Sequence, residues 1–227
     1  MMHRDIANRA GLHWGFKPSQ ISLAAQRENA VFRVSTDSGD FALRLHRAGY
    51  RSDAQLLSEL YWMAAVEAGG ISVPRPVASQ SGDLIHEIDG ILVDVLTWLP
   101  GRPIGAVGVL QGIDDPKRLC RTLGQEIAKL HALTDAWTPP TQFARPAWDA
   151  DGLLGGSPVW GPFWEHPDLT EKDRCDLDTV RSLAMQSLNK DSDILDYGLI
   201  HADLVRENIL IDGDQLHLID FDDGGFG

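Results

Sequence analysis

His201-Ala-Asp-Leu-Val-Arg-Glu-Asn-Ile-Leu210, continued after a short turn by Leu218-Ile-Asp-Phe-Asp222, decides how this chain reads. The first stretch has the form H-x-D-x-x-x-x-N. Apolar Ile209-Leu-Ile211 follows at once, Asp212-Gly-Asp214 makes a turn, and a second apolar run, Leu216 to Ile219, ends in Asp220. Asp-Gly between two apolar runs predicts a β-hairpin. That hairpin brings Asn208 and Asp220 to the same end of two neighbouring strands, where they can share a metal ion. Phosphoryl transfer from a nucleotide needs such a set: a carboxylate near the attacking hydroxyl and oxygen ligands for the metal on the phosphates. Asp203 suits the first role. Asn208 and Asp220 suit the second, because magnesium takes hard oxygen ligands from a few side chains and keeps water and phosphate oxygens for the rest. The alternative is an ordinary acidic hairpin with a loop Asn; the several context requirements met together favour the catalytic reading.

Working outward, the segment before this tail reads as sheet and helix. Ala30 to Ser35 and Phe41 to Leu45 alternate apolar and polar side chains, with Thr36-Asp-Ser-Gly-Asp40 as a turn between them. A helix is predicted from about Ser52 to Ala68, with Ser52 as N-cap, Leu56, Leu60 and Met63 on one face, and Gly69-Gly70 as its end. Leu84 to Ile88 and Ile91 to Thr97 form a hairpin around Asp89-Gly90. Pro116 to Leu133 is an amphipathic helix carried by Leu119, Leu123, Ile127 and Leu130, and Leu169 to Leu188 is a second, highly charged one. Between them, Thr138 to Pro167 is rich in Pro, Gly and Trp. It is either a lid or acceptor-pocket segment, or a loop whose tryptophans anchor it to the core.

Composition bounds the class. The 227 residues are 43% hydrophobic and 23% charged, enough for a sizeable core in one or two domains. A formal net charge of −13 argues against nucleic acid or an anionic membrane as partner and suits a cationic substrate. Cys120 and Cys175 are far apart and outside any metal-ligand spacing, which fits a reducing, cytoplasmic setting. The start Met-Met-His-Arg-Asp does not read as a signal peptide, and no apolar run is long enough to span a bilayer.

On these motifs the chain resembles the aminoglycoside phosphotransferase, choline kinase and homoserine kinase-like family, from about Ile21 to Gly227. The resemblance implies an α+β, bilobal, protein-kinase-like fold. A small lobe of antiparallel sheet plus helix would span residues 1–97, a hinge 98–102, and a large, mainly helical lobe 103–227. Catalytic loop 201–208 and Asp220 lie in the large lobe, which is expected to be truncated and to lack its carboxy-terminal helices. It implies ATP and Mg2+ as cofactors and a small hydroxyl-bearing molecule as substrate. Arg44 sits where such enzymes carry a phosphate-contacting lysine, and Glu59 on the following helix would look back at it. Surface placement of both is the bland alternative. Glu28 and Asn29 fall in the loop over the phosphates, which here lacks the glycines of protein kinases. Thr97, Trp98 and Leu99 fall at the hinge that borders adenine. His131, in a Leu130-His131 pair at a helix end, reads as structural. Val205 stands where Ser/Thr protein kinases have lysine; Arg206 either takes over that charge or is a surface residue. Asp222 either assists the metal through water or is a solvated turn former. A bacterial stress-response-type protein Ser/Thr kinase and a non-catalytic nucleotide-binding module are the alternative readings.

Overall fold

A computed structural model describes residues 2–27 and 29–227. The elements in chain order are α1 (Met2–Gly11), β1 (Ile21–Gln26), β2 (Ala30–Thr36), β3 (Gly39–Leu45), α2 (Asp53–Ala68), β4 (Ile85–Ile88) and β5 (Ile91–Thr97). They continue with β6 (Arg102–Pro103), β7 (Gly105–Ala106), β8 (Val109–Leu110), α3 (Pro116–Ala136), α4 (Ala150–Leu154), α5 (Glu171–Asp191), β9 (Leu199–Ile200), β10 (Ile209–Asp212), β11 (Gln215–Leu218) and β12 (Gly225–Phe226). The chain separates into two compact units: residues 1–144 with 203–222, and residues 145–202 with 223–227.

In the first unit β1 to β5 form one antiparallel sheet in the spatial order β1-β2-β3-β5-β4. Side chains alternate across a strand, so Leu43, Leu45, Val93 and Val95 share one face with Phe32 and Val34. That face is covered by Ile6, Ala7 and Ala10 of α1 together with Trp14 and Phe16. Helix α1 was not anticipated in the sequence. It is fastened at the far side, where both Arg9 Nη atoms donate to the Asp89 carboxylate at 2.7 and 2.8 Å. Asp89 and Gly90 both have positive φ, +53° and +79°, which is what a two-residue hairpin turn between β4 and β5 requires.

The other face of β3 and β5 receives α2. Its start is the anticipated one: Ser52 Oγ accepts the Gln55 N–H while Gln55 Oε1 accepts the Ser52 N–H, a reciprocal cap. Leu56, Leu60, Trp62, Met63 and Val66 are buried. Trp62 reaches α3, its Nε1 donating to Thr134 Oγ1 at 3.2 Å, and its ring meets Phe221 edge-on. Asp115 caps α3 and Pro116 occupies its first turn. Beside them β10 and β11 pair as a hairpin, with β6 on the outer side of β10.

In the second unit Thr170 and Asp173 cap α5. Arg181 ties α5 to α4, donating to the carbonyls of Leu154 and Gly155 at 2.6 and 3.2 Å, with its guanidinium over the Trp164 ring. Trp148 donates to the Asp223 carbonyl at 2.9 Å and meets Trp160 edge-on, so Trp148 and Trp164 anchor this Pro- and Gly-rich stretch while Trp160 stays exposed. Strands β9 and β12 pair, Leu199 opposite Phe226. Among the described residues no helix is long and apolar enough to cross a membrane.

Candidate active site

The hairpin of β10 and β11 sets the site. Ile209 pairs with Leu218, and one step further out the Ile219 N–H donates to the Asn208 carbonyl at 2.9 Å. Asn208 therefore sits at the strand end next to Ile219 and Asp220, as the turn chemistry required. Asn208 itself closes a short 3-10 turn, Arg206 to Asn208, and is buried. Its Nδ2 donates to Asp203 Oδ2 at 2.8 Å and to the Asp203 carbonyl at 3.0 Å. Asp220 has φ +67° and the residue before Asp203, Ala202, has φ +64°. Left-handed backbone at non-glycine residues costs free energy and persists where surrounding structure dictates it.

Asp220 stays exposed, so water or a cation can reach it. Protein nevertheless flanks it closely. Partial desolvation, helped by Glu59, Asp222 and Asp203 and opposed by Arg44, pushes its carboxyl up to about 6. The concentration of negative charge is one a divalent cation would relieve. Among the described residues no group of three or more His, Cys, Asp or Glu side chains is arranged to hold a metal alone. Asn208 Oδ1 and an Asp220 carboxylate oxygen are the side-chain oxygens that could ligate a divalent cation here, with phosphate and water completing its shell.

Asp222 is not a solvated turn carboxylate. It is 8% exposed, and Arg51, just before α2, donates from Nη2 to its carbonyl at 3.1 Å with Nε 3.6 Å from Oδ1. Burial first, then Glu59, pushes the Asp222 carboxyl up, and Arg51 works against that.

Arg44 and Glu59 are buried and meet: Arg44 Nη1 donates to Glu59 Oε1 at 2.8 Å. The sequence reading missed a second carboxylate there. Asp94 lies directly opposite Arg44 in the β3–β5 register and takes its Nε and Nη2 at 2.8 and 2.7 Å. His46 Nε2 stands 2.7 Å from Asp94 Oδ2. The one signal available was a lone charge, Asp94, inside the otherwise apolar strand Ile91 to Leu96.

The remaining expected residues serve as follows. Asn29 Oδ1 accepts the Arg47 N–H at 3.1 Å, fastening the β1–β2 turn; Glu28 lies outside the described residues. Thr97 exchanges bonds with Arg75, its N–H donating to the Arg75 carbonyl and its Oγ1 accepting the Arg75 N–H, both at 2.9 Å. The Trp98 N–H donates to the Asp40 carbonyl at 3.0 Å, and Leu99 follows, half-buried. Arg206 is exposed, and its neighbour Glu207 accepts the Val107 N–H at 2.9 Å.

With this geometry in hand, comparison with known proteins is decisive for the family. The model of the phosphotransferase enzyme family matches residues 20–227. This chain belongs to that family. Among curated members, amicoumacin kinase of Bacillus subtilis is 27% identical over 240 residues, covering 99% of this chain and 67% of its own length. A homoserine kinase of Beijerinckia indica is 30% identical over 208 residues, covering 88% of this chain and 57% of its own. Among solved structures, a microcompartment-associated aminopropanol kinase superposes with a TM-score of 0.81 at 29% identity, over 98% of this chain and 70% of that one. Amicoumacin kinase hAmiN, solved in complex with AMP-PNP, Ca2+ and Ami, shares the fold with a TM-score of 0.78 at 24% identity, over 100% of this chain and 66% of that one. The phosphotransferase family fold is thus the α+β, kinase-like one expected from the tail motif.

Proposed function

We propose that this chain carries the nucleotide site and catalytic loop of an ATP- and magnesium-dependent phosphotransferase whose acceptor is a hydroxyl of a small molecule. The observation that carries this reading is the Asp203–Asn208–Asp220 set: a carboxylate held by a buried carboxamide, beside an exposed carboxylate in a field of negative charge. Asp203 orients the acceptor hydroxyl and takes its proton late in transfer. Asn208 and Asp220 hold the metal, and Arg44 with Glu59 faces the nucleotide phosphates. Asn29, with Glu28, belongs to the loop over those phosphates, and Thr97 to Leu99 border the adenine edge. Magnesium, when bound, neutralises charge on the transferred phosphoryl group. Residues 1–97 then serve as the nucleotide lobe, 98–102 as hinge, and 103–227 as the catalytic lobe. Relatives named for amicoumacin, homoserine and aminopropanol support a small-molecule acceptor over a protein one.

The test is a thermal shift of this chain with ATP and magnesium, with ATP and EDTA, and with Asp220→Ala as control. A ligand that binds only the native state at a hundredfold excess over its Kd stabilises it by about 2.7 kcal/mol. A magnesium-dependent shift lost in the variant is expected. An equal shift in EDTA, or one retained by Asp220→Ala, overturns the metal assignment.

A further inference from the structure

We propose that Asp94 is the principal positioning residue of Arg44, that His46 orients Asp94, and that this pair rather than Glu59 makes arginine the required cation at this place in the sheet. The inference rests on the reading of Arg44 as a nucleotide-facing group.

Arg44 and Asp94 are register partners on adjacent central strands, so they point to the same face, and His46, two residues beyond Arg44, points there too. Glu59 comes down on that face from α2. All four are buried: Arg44 at 7% exposure, His46 at 5%, Glu59 and Asp94 at 0%. Asp94 takes two parallel N–H donors from the Arg44 fork, a planar fit that fixes both distance and angle. Glu59 takes one. A carboxylate only accepts, so the His46 Nε2 at 2.7 Å carries its hydrogen toward Asp94 Oδ2. That oxygen thus holds a donor from His46 as well as one from Arg44.

Lysine cannot replace this fork. Its ammonium is a single point and cannot meet both Asp94 oxygens and Glu59 in the same geometry. It would leave a buried carboxylate short of donors, which is the costly arrangement. Charge counting agrees. Asp94 and Glu59 together outnumber Arg44 by one negative charge, so Arg44 stands as the shared counter-ion of two buried carboxylates. In a lysine–glutamate pair split between strand and helix, the cation is in place only when the helix is. Here the guanidinium is fixed to its own sheet and keeps its place whatever the helix does.

The inference is tested with Asp94→Asn, Glu59→Gln, His46→Gln, Arg44→Lys and the Arg44→Lys/Asp94→Asn pair. The readouts are calorimetric affinity for Mg·ADP and Mg·AMP-PNP, and the exchange protection of the Arg44 Nε–H in the nucleotide-free chain by 15N NMR. Asp94→Asn is expected to weaken nucleotide about tenfold or more and to remove that protection. Glu59→Gln is expected to leave the protection and cost less affinity. Arg44→Lys is expected to lose less in the Asp94→Asn background than in the wild type, because the orphaned carboxylate is gone. A larger loss for Glu59→Gln than for Asp94→Asn, or additive effects in the pair, overturns the proposal. If Asp94→Asn does not fold, His46→Gln decides, since it keeps Arg44 and Asp94 but removes the donor that orients the Asp94 carboxylate toward the fork. Nε–H protection unchanged in His46→Gln but lost in Glu59→Gln overturns the proposal, and the reverse upholds it. Failure of the wild-type chain to bind either nucleotide overturns the underlying reading of the site, whereas binding with the wrong order of variants overturns the positioning inference alone.

Discussion

Asn208 holds Asp203 at two points, its Nδ2 donating to the Asp203 carboxylate at 2.8 Å and to the Asp203 carbonyl at 3.0 Å. One side chain therefore sets both the backbone and the carboxylate of the residue assigned to the acceptor hydroxyl. It does so from the end of a strand whose next ladder bond fixes Ile219, the neighbour of Asp220. Asp203 and Asp220 are thus tied to one another through Asn208, its carboxamide holding Asp203 and its backbone carbonyl the residue before Asp220.

Asn208→Ala removes the carboxamide. A buried donor pair is lost, which costs about 1–3 kcal/mol in stability. The larger effect is functional: phosphoryl transfer is expected to fall about a hundredfold or more, because positioning and charge stabilisation fail together. Urea unfolding reads the first effect. Intrinsic ATP turnover, or transfer once an acceptor is in hand, reads the second. Activity within a fewfold of wild type would show that Asp203 is held by something else.

Gly101→Ala tests the support beneath the hairpin. Gly101 has φ +96°, and a Cβ there would lie 2.5 Å from the Ile211 carbonyl oxygen, a backbone atom that cannot step aside. It directly precedes β6, which pairs with β10. A loss of about 2 kcal/mol or more in unfolding free energy is expected, with weakened magnesium-dependent nucleotide binding. A neutral result would mean that β6 does not brace β10.

Much of this was legible in the sequence because the signals are local. Asp212-Gly213 dictates its hairpin, Asp89-Gly90 another, and Ser52 starts α2; each needs only residues a few positions apart. What escaped was non-local. Asp94 stands fifty residues from Arg44, and nothing in either strand announces that β3 and β5 are neighbours in that register. Helix α1 escaped for a related reason: its apolar residues are small, Ala7 and Ala10 with Ile6, and they become a core only against a sheet formed later in the chain. Asp222 read as a turn former because its counter-ion, Arg51, lies 171 residues away.

Arg51→Ala should therefore destabilise the segment that follows Asp220. Asp222 is buried near Glu59, and removing the guanidinium takes away the cation that offsets both burial and like charge. A cost of about 3 kcal/mol is expected for breaking such a pair. Asp222→Asn in the same background should recover part of it, since the carboxylate that needed the cation is gone. Chemical unfolding of the single and double variants checks this. Equal stabilities for Arg51→Ala with and without Asp222→Asn would remove the charge argument.

His217 gives the chain a predictable response to acid. It sits on β11, 2% exposed, with Nδ1 2.6 Å from Ser72 Oγ, and its buried Nε2 has no hydrogen-bond partner among the described residues. Once protonated, the ring carries a buried Nε2–H without an acceptor. Burial accordingly holds its pKa below the ordinary 6.5, and the Asp212 charge offsets this only in part. As pH falls below 6.5 the unfolded chain takes up a proton that the folded chain resists, so the unfolded state gains and stability falls. The loss continues down to the folded pKa and levels off below it. His217 should therefore lower the urea midpoint between pH 7.5 and 5.5, against the raised Asp220 carboxyl, which takes up its proton first in the folded chain, and His217→Gln, which does not titrate, should lack that contribution. His86, whose pKa is likewise held down by burial and by the neighbouring His13, contributes in the same direction and needs its own variant as a reference. An unchanged slope in His217→Gln would mean that the β10–β11 hairpin opens to water before His217 protonates.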